Sequence, residues 1–512
     1  MLVVVFLLSG AEAARVVVVG GGVGGLATAG RLAGLGAEVT VLEKNERELL
    51  GGRLGEYRWG RHRWETGASL LLMPEVYAES LAAMGDAEPL DFVRVRPSYA
   101  VWFDALPERG PVELGGEDVE ALRKRLELEE EGAFEKFETY LETARDYLGT
   151  GWPAFIEEDV AAALPTLGRF VRTALARWPL ETHEAQLRKL FPKSPRLRAL
   201  CSFNDLYVGL TPYDAPAVFS LLSAIEICRG VWYLRDGLGS YARRLVDACE
   251  RRGVEVRCGV EVTSVDDRGV DTTAGRFDAD HVVVNADLAA AEPRLARRPR
   301  DTYDSWTYST TSYSFYWALD KPLPELRHHN VFLATDRANP DDPFRPAWDW
   351  LRRERRELPP FNFYVCAASR TDDTAAPRGR DSIMVLVPAP PLGSDDDRDR
   401  DLTDAIRDAL FRRLGPICGD VKTHIIHERV IAPREWRRRY ALRRGAIFGL
   451  SHGLDQLALF RPARRSRRSK TLSFVGASTR PGNGVPLVLT SAKLCAREVA
   501  RQLHLEGGSF GS

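Results

Sequence analysis

The chain has no excess charge of either sign: 71 Lys and Arg stand against 72 Asp and Glu, a formal net charge of -1 over 512 residues. With no basic field to follow a phosphate backbone, nucleic acid is not an expected partner. No apolar run reaches the ~18–20 residues that a membrane-spanning helix needs. The seven cysteines (Cys201, Cys228, Cys249, Cys258, Cys366, Cys418 and Cys495) are odd in number and never spaced C-x-x-C. That pattern speaks against a disulfide framework and for reduced, mostly buried thiols. His424 and His427 are three apart in the strand-like stretch THIIHERV, so they face opposite sides and no shared metal is expected.

What the chain does have is an apolar content of 44% with 28% charged residues, the balance of a folded chain, and a length that calls for two or more domains. Its organising stretch is RVVVVGGGVGGLATAGRLAGLGAEVTVLE, residues 15–43. The β-branched run from Arg15 to Val19 reads as a buried parallel strand. Gly20, Gly22 and Gly25 follow in G-x-G-x-x-G spacing: the first for a tight turn, the second for close approach to a pyrophosphate, the third for close helix–strand packing. A helix is expected from Gly25 to Ala33, then a strand over residues 38–42. Glu43 at its end can accept both hydroxyls of a ribose. Strand, glycines, helix, strand and acid in this order describe a dinucleotide-binding βαβ unit.

Further along, Gly51-Gly52-Arg53 permits backbone approach to the same ligand, with Arg53 neutralising phosphate charge. Residues 55–64 read as a hairpin, and Gly67-Ala68-Ser69 offers small side chains beside a flat cofactor. Glu43 followed by Gly51-Gly52-Arg53 selects FAD over a nicotinamide cofactor.

Beyond residue 90 the βαβ rhythm stops, and long helical patterns run to about 230. Within them, 215–228 is apolar on nearly all sides and is expected to be buried. A second block of nucleotide-domain character occupies 230–300, with Val262 on a short strand and Asn285-Ala286-Asp287 ending another. Residues 300–445 read as a β-rich sheet with helices. Two basic segments, 434–444 and 461–470, are expected to be solvated surface, with attachment to anionic lipid as the alternative. The segment 472–503 reads as strand, glycine-proline loop and helix. Its helix N-terminus can face the pyrimidine end of a flavin.

The expected class is therefore α/β (α+β overall). A discontinuous Rossmann-like FAD-binding domain (15–90, 230–300 and 445–505) is joined to a mixed-sheet substrate domain (300–445). A helical substrate-side subdomain (90–230) is the candidate for membrane contact. Residues 1–14 form a hydrophobic leader, for which an import or export signal is an open reading, and 506–512 a flexible tail.

These motifs resemble one family. VVVVGGGVGGLATAGRLAGLGAEVTVLEKN, GGRLGEYRWGRHRWETGASLLL, LYVGLTPYDAPAVFSLLSAIEICRGVWYLRDGLG, HERVIAPREWRRRYALRRGAIFGLSHGLDQLALFRP and VGASTRPGNGVPLVLTSAKL are similar to the bacterial and fungal phytoene desaturases, flavoproteins of the amine-oxidase-like superfamily. The resemblance covers nearly the whole chain, and the last motif is specific to carotenoid desaturases and isomerases. It implies non-covalent FAD held by Gly20, Gly22, Gly25, Glu43, Arg53, Gly67, Ala68, Ser69, Val262, Gly476, Gly484, Val485 and Pro486. It implies desaturation of a carotene, phytoene towards lycopene, by hydride abstraction to flavin. The electron acceptor would be quinone or oxygen, and the substrate would lie in a membrane touched peripherally, in plastid or cytoplasm. The chain departs from the family at Glu65-Thr66-Gly67-Ala68, where Asp-x-Gly-Pro is usual, and at Arg480, where His is usual. No acid–base dyad or nucleophile is expected, because a polyene offers nothing for one to grip. Arg480, Tyr233 and Arg235 are the candidates near the flavin. A carotenoid cis-trans isomerase on the same fold, a non-redox prenyl-binding chaperone and an amine oxidase are the other readings.

Overall fold

The structure is a computed structural model that describes residues 13–104, 106–153, 156, 168, 181–296, 299–352, 358–393 and 401–505. Most of the leader, the tail and the helical pattern expected at 155–178 lie outside the described residues.

Arg15–Val19 is the centre of a five-stranded, all-parallel sheet. On one side it pairs with His281–Val284, which pairs in turn with Leu472–Phe474. On the other it pairs with Glu38–Leu42 and then Glu255–Arg257. Strands from three distant parts of the sequence thus share one sheet, whose three inner strands, Arg15–Val19, Glu38–Leu42 and His281–Val284, are β-branched runs with both faces covered. One face carries the helices Val23–Gly34, Leu238–Arg251 and Val485–Gln502, packed through Leu26, Leu32, Leu245, Leu489 and Val499. The other face packs Val17, Val19, Val282 and Val284 against Leu288, Val265 and Val270. The last two belong to a three-stranded antiparallel meander of Val262–Asp266, Gly269–Thr272 and Gly275–Asp278.

A second, seven-stranded mixed sheet runs in the order Ile425–Ile431, Thr311–Leu319, Asp381–Ala389, Phe363–Cys366, His329–Leu333, Tyr99–Phe103, Val112–Leu114. Only His329–Leu333 against Tyr99–Phe103 is parallel. The last two strands come from within the 90–230 stretch, so that stretch is not helical throughout. Its first long helical pattern is two helices, Val119–Glu127 and Ala133–Trp152, separated at Gly132 (φ +68°). The apolar segment at 215–228 is buried through Ala215, Ala217, Phe219, Ala224 and Ile225. His424 binds Asp320 and His427 binds the Tyr57 hydroxyl, so the two histidines serve separate partners. Among the described residues, no helix is long and apolar enough to cross a membrane.

The basic segments are solvated at Arg434, Arg438, Arg465, Arg467, Arg468 and Lys470, as expected, but not throughout. Arg461 and Arg464 are buried, and Trp436 anchors the helix Pro433–Tyr440 in the core. Arg461 sits in a cage of main-chain oxygens, donating to the carbonyls of Thr479, Ser451, Leu450 and Ala477 at 2.5–3.2 Å. With no carboxylate in the cage, burial pushes its guanidinium down to about 9. The cation is held because five donors in a fixed fork match carbonyls that the irregular loop 450–482 leaves unpaired.

Candidate FAD and substrate site

Where the two sheets meet, a cavity of about 780 Å³ opens. At one end it is lined by the glycine turn and Glu43. Gly20 adopts φ +101°, a left-handed conformation that favours glycine. A Cβ on Gly25 would lie 2.2 Å from the Gly20 carbonyl, so the turn and helix can pack this closely only without one. The helix Val23–Gly34 starts at the cavity with its amides unpaired in the first turn, the usual seat for a pyrophosphate. Glu43 Oε2 accepts the Gly21 amide at 2.8 Å, and Oε1 accepts the Asn45 amide at 2.9 Å.

Of the thirteen residues carried over from the family pattern, Gly20, Gly22, Glu43, Arg53, Gly67, Ala68, Ser69, Val262, Gly476, Gly484, Val485 and Pro486 all line this cavity. Gly25 stands behind the turn, in the packing position its spacing indicated. Arg53 donates to the Ile447 carbonyl. Burial lowers its proton affinity and nearby Asp287 partly restores it. Gly484 (φ +97°) opens the helix Val485–Gln502 toward the cavity. Glycines without room for a Cβ, an acid at the second strand end, a half-buried arginine and two helix N-termini around one cavity fit the donor and acceptor needs of FAD. Glu43 would take the ribose, the Gly22 turn the pyrophosphate, and the Gly484–Pro486 helix end the electron-rich end of the ring.

The three candidate residues near the flavin lie elsewhere; none lines the cavity. Tyr233 is buried, its hydroxyl accepting from Arg63 Nη2 at 3.1 Å and donating to Glu65 Oε1 at 3.3 Å. Beside it, Arg63 and Asp372 form a buried ion pair at 2.5 Å. Arg235 pairs with Asp91 at 2.8 Å on the surface. Arg480 donates to the carbonyls of Arg461 and Leu459. All three support neighbouring loops. At the Glu65-Thr66-Gly67-Ala68 departure, burial raises the Glu65 carboxyl and Arg63 opposes it. The Thr66 carbonyl accepts the Tyr316 hydroxyl at 2.8 Å.

Several cavity residues are not among the expected cofactor contacts, although Asn285-Ala286-Asp287 is expected at a strand end of the second nucleotide-domain block. Asn285 Nδ2 donates to the Gly20 carbonyl at 3.3 Å and holds the turn from the neighbouring strand. Asp287 accepts Ser478 Oγ at 3.0 Å and the Arg443 amide at 3.1 Å. The Tyr364 hydroxyl lies 3.1 Å from Ser69 Oγ and 2.6 Å from His329 Nδ1. His329 Nε2 is buried without a partner among the described residues. Burial and the adjacent His328 hold the His329 imidazole well below its ordinary value, and burial raises the Tyr364 phenol. The remaining wall is apolar, drawn from Phe203, Phe219, Ile225, Leu333, Trp348 and Met384.

A family model described as flavin containing amine oxidoreductase matches residues 23–500. The chain is 32% identical to a phytoene desaturase of Phycomyces blakesleeanus, over 95% of this chain and 85% of that one. It is 33% identical to a zeta-carotene-forming phytoene desaturase of Myxococcus xanthus, over 97% and 96%. Its fold is that of an oxidoreductase from Methanosarcina mazei (TM-score 0.59, 16% identity, covering 93% of this chain and 98% of that one). The cofactor is FAD. The chain belongs to the flavin-containing amine oxidoreductases, in the phytoene desaturase family.

Proposed function

We propose that this flavoenzyme desaturates a carotene, taking phytoene towards lycopene. The observation that carries this is the single cavity joining a dinucleotide cradle at one end to an apolar wall at the other. A polyene has no polar handle, so binding rests on apolar burial, which favours association by roughly 25 cal/mol per Å² removed from water. FAD supplies hydride acceptance at a carbon flanked by double bonds. The protein orients the chain against Gly67–Ser69 and excludes water through Phe203, Phe219 and Trp348. Electrons then pass to quinone or oxygen.

The substrate dissolves in lipid, and the likeness of this chain to other phytoene desaturases supports delivery from a membrane surface. Leu454, Leu459 and Phe460 are 52%, 53% and 70% exposed yet also line the cavity, which marks its opening. Large apolar side chains exposed together at such an opening suit insertion into the headgroup boundary.

Purified holoenzyme incubated with phytoene liposomes and a quinone tests the reading. A red-shifted polyene absorbance is expected. Geometric isomers without new conjugation would instead indicate an isomerase, and a colourless protein that cannot be reconstituted with FAD would indicate a prenyl-binding chaperone.

A further inference from the structure

Desaturation of a CH–CH unit removes two hydrogens unequally. One leaves as hydride to the flavin. The neighbouring carbon must lose a proton, and its C–H electron pair becomes the new π bond. In an apolar cavity this proton cannot go to bulk water, so a side chain has to receive it.

Tyr364 stands in the right place. It lines the cavity, is partly open to it, and contacts Ser69, one of the three small residues at the cofactor end. Its hydroxyl is the cavity hydroxyl coupled to an imidazole, His329, at 2.6 Å. The Tyr316 hydroxyl is spent on the Thr66 carbonyl. His452 Nδ1 donates to the Val208 carbonyl, while its Nε2 and the Tyr440 hydroxyl are buried without a partner among the described residues and so have no second group to which a proton could be passed.

We propose that Tyr364 and His329 form the proton acceptor of the desaturation: the phenol oxygen takes the proton from carbon while passing its own to His329 Nδ1. This rests on the desaturase reading above. Tyr364 is then the catalytic residue, and His329, acting through it, is a positioning and proton-holding residue. The atoms balance. One C–H bond breaks with its pair leaving as hydride, the adjacent C–H pair forms the double bond, and the proton rests on the imidazole. It is returned when quinone or oxygen is reduced, a step that consumes a hydride and a proton together.

The surroundings suit the role. The ring of His329 lies 4.2 Å from that of His328 and 5.9 Å from that of Tyr99, in a wall that holds it neutral before reaction. A neutral imidazole is the form that can accept. Its weak basicity is no obstacle, because the carbon acid flanking an allylic cation is far stronger.

The test compares wild type, Tyr364→Phe and His329→Gln, each with FAD content verified by absorbance, in anaerobic stopped-flow reduction by phytoene. The expected result is a loss of about 100-fold or more in flavin bleaching for Tyr364→Phe, the scale of general acid–base catalysis. Substrate KM should be little changed. The isotope effect should grow for phytoene deuterated at the carbon that loses the proton, which a packing defect would not produce. In a third variant, His329→Ala, added imidazole should restore part of the rate. Bleaching within threefold of wild type in both Tyr364→Phe and His329→Gln overturns the assignment. So does one equivalent of tightly bound zinc in the active holoenzyme, because His328, His329 and Cys366 place ligand-capable atoms within 4.8 Å of one another and a metal would consume the imidazole lone pair. A wild-type protein that no carotene bleaches removes the desaturase reading itself, an outcome distinct from active variants.

Discussion

The Glu43 carboxylate and the Gly21 amide are joined by a 2.8 Å hydrogen bond that ties the end of one strand to the turn after its neighbour. The same carboxylate takes the main-chain and side-chain amides of Asn45, and Glu43 lines the cavity. Replacing Glu43 with Gln keeps the shape but gives up the charge-assisted acceptor, worth about 1.5–3 kcal/mol. FAD affinity should fall roughly 10- to 100-fold. Flavin fluorescence during titration of apoprotein measures it.

Two glycines of one motif should fail differently. At Gly25 an added Cβ meets the Gly20 backbone carbonyl at 2.2 Å; at Gly22 it meets the end of the Asn285 side chain at 2.8 Å. A side chain can swing away and a backbone cannot. Gly25→Ala should therefore destabilise the domain by about 1–3 kcal/mol, the usual cost of overpacking. Gly22→Ala should fold normally and lose FAD. Chemical denaturation of the apoproteins, alongside flavin content, separates the two.

Stability should respond to pH through Glu226. Buried beside Asn204 and Tyr99, its carboxyl is pushed up to about 8 by desolvation. The folded state thus holds a proton that the unfolded chain releases near pH 4.5. The stabilisation is complete below that value and is lost as pH rises through about 8, at up to about 1.4 kcal/mol per unit. Glu226→Gln keeps a neutral side chain at every pH. Its denaturation midpoint should change less than that of wild type between pH 6 and 9, and equal slopes would refute the assignment. On the acid side, His281, held near 4 by burial, contributes stability above pH 6.5 that is lost as pH falls through about 4.

Paired Leu459→Ser and Phe460→Ser substitutions should weaken liposome binding, read by flotation, by about 100-fold or more while leaving FAD content intact. Each removes an apolar side chain worth about 1.5–3 kcal/mol when buried in the lipid boundary. Unchanged flotation would place the lipid contact elsewhere.

How far the sequence is legible follows from the range of the constraint. The Gly20–Glu43 unit is readable because its requirements are local: each glycine answers to a neighbour in the turn or to the next strand. Val262 was reachable only through resemblance, since nothing near it in the chain says that it returns to the same cavity, whereas the strand, glycine-proline loop and helix of 472–503 already suggest a helix end at the cofactor and the resemblance only singles out Gly484, Val485 and Pro486. Arg461 was misread. In RPARRSRRSK it looks like one more surface cation, and its burial is set by carbonyls up to 18 residues away. The Tyr364–His329 pair was invisible for a related reason. Strand register places Val331 opposite Tyr364 and His329 opposite Cys366, so phenol and imidazole meet diagonally on one face. Register across two strands is not written in either one.

The parallel sheet has a consequence for the order in which the protein becomes itself. Its strands appear at residues 15, 38, 255, 281 and 472 in turn. During synthesis the glycine turn is made long before its sheet is complete, because Leu472–Phe474 and the loop that closes the cavity come much later in the chain. The nascent chain must therefore carry an unfinished sheet edge and an uncovered apolar hollow until residue 472 and the loop after it have been made. Such surfaces are where chains aggregate. Chaperone dependence, and the benefit of abundant flavin during expression, should be set by residues 472–486, which complete the sheet and close the cavity.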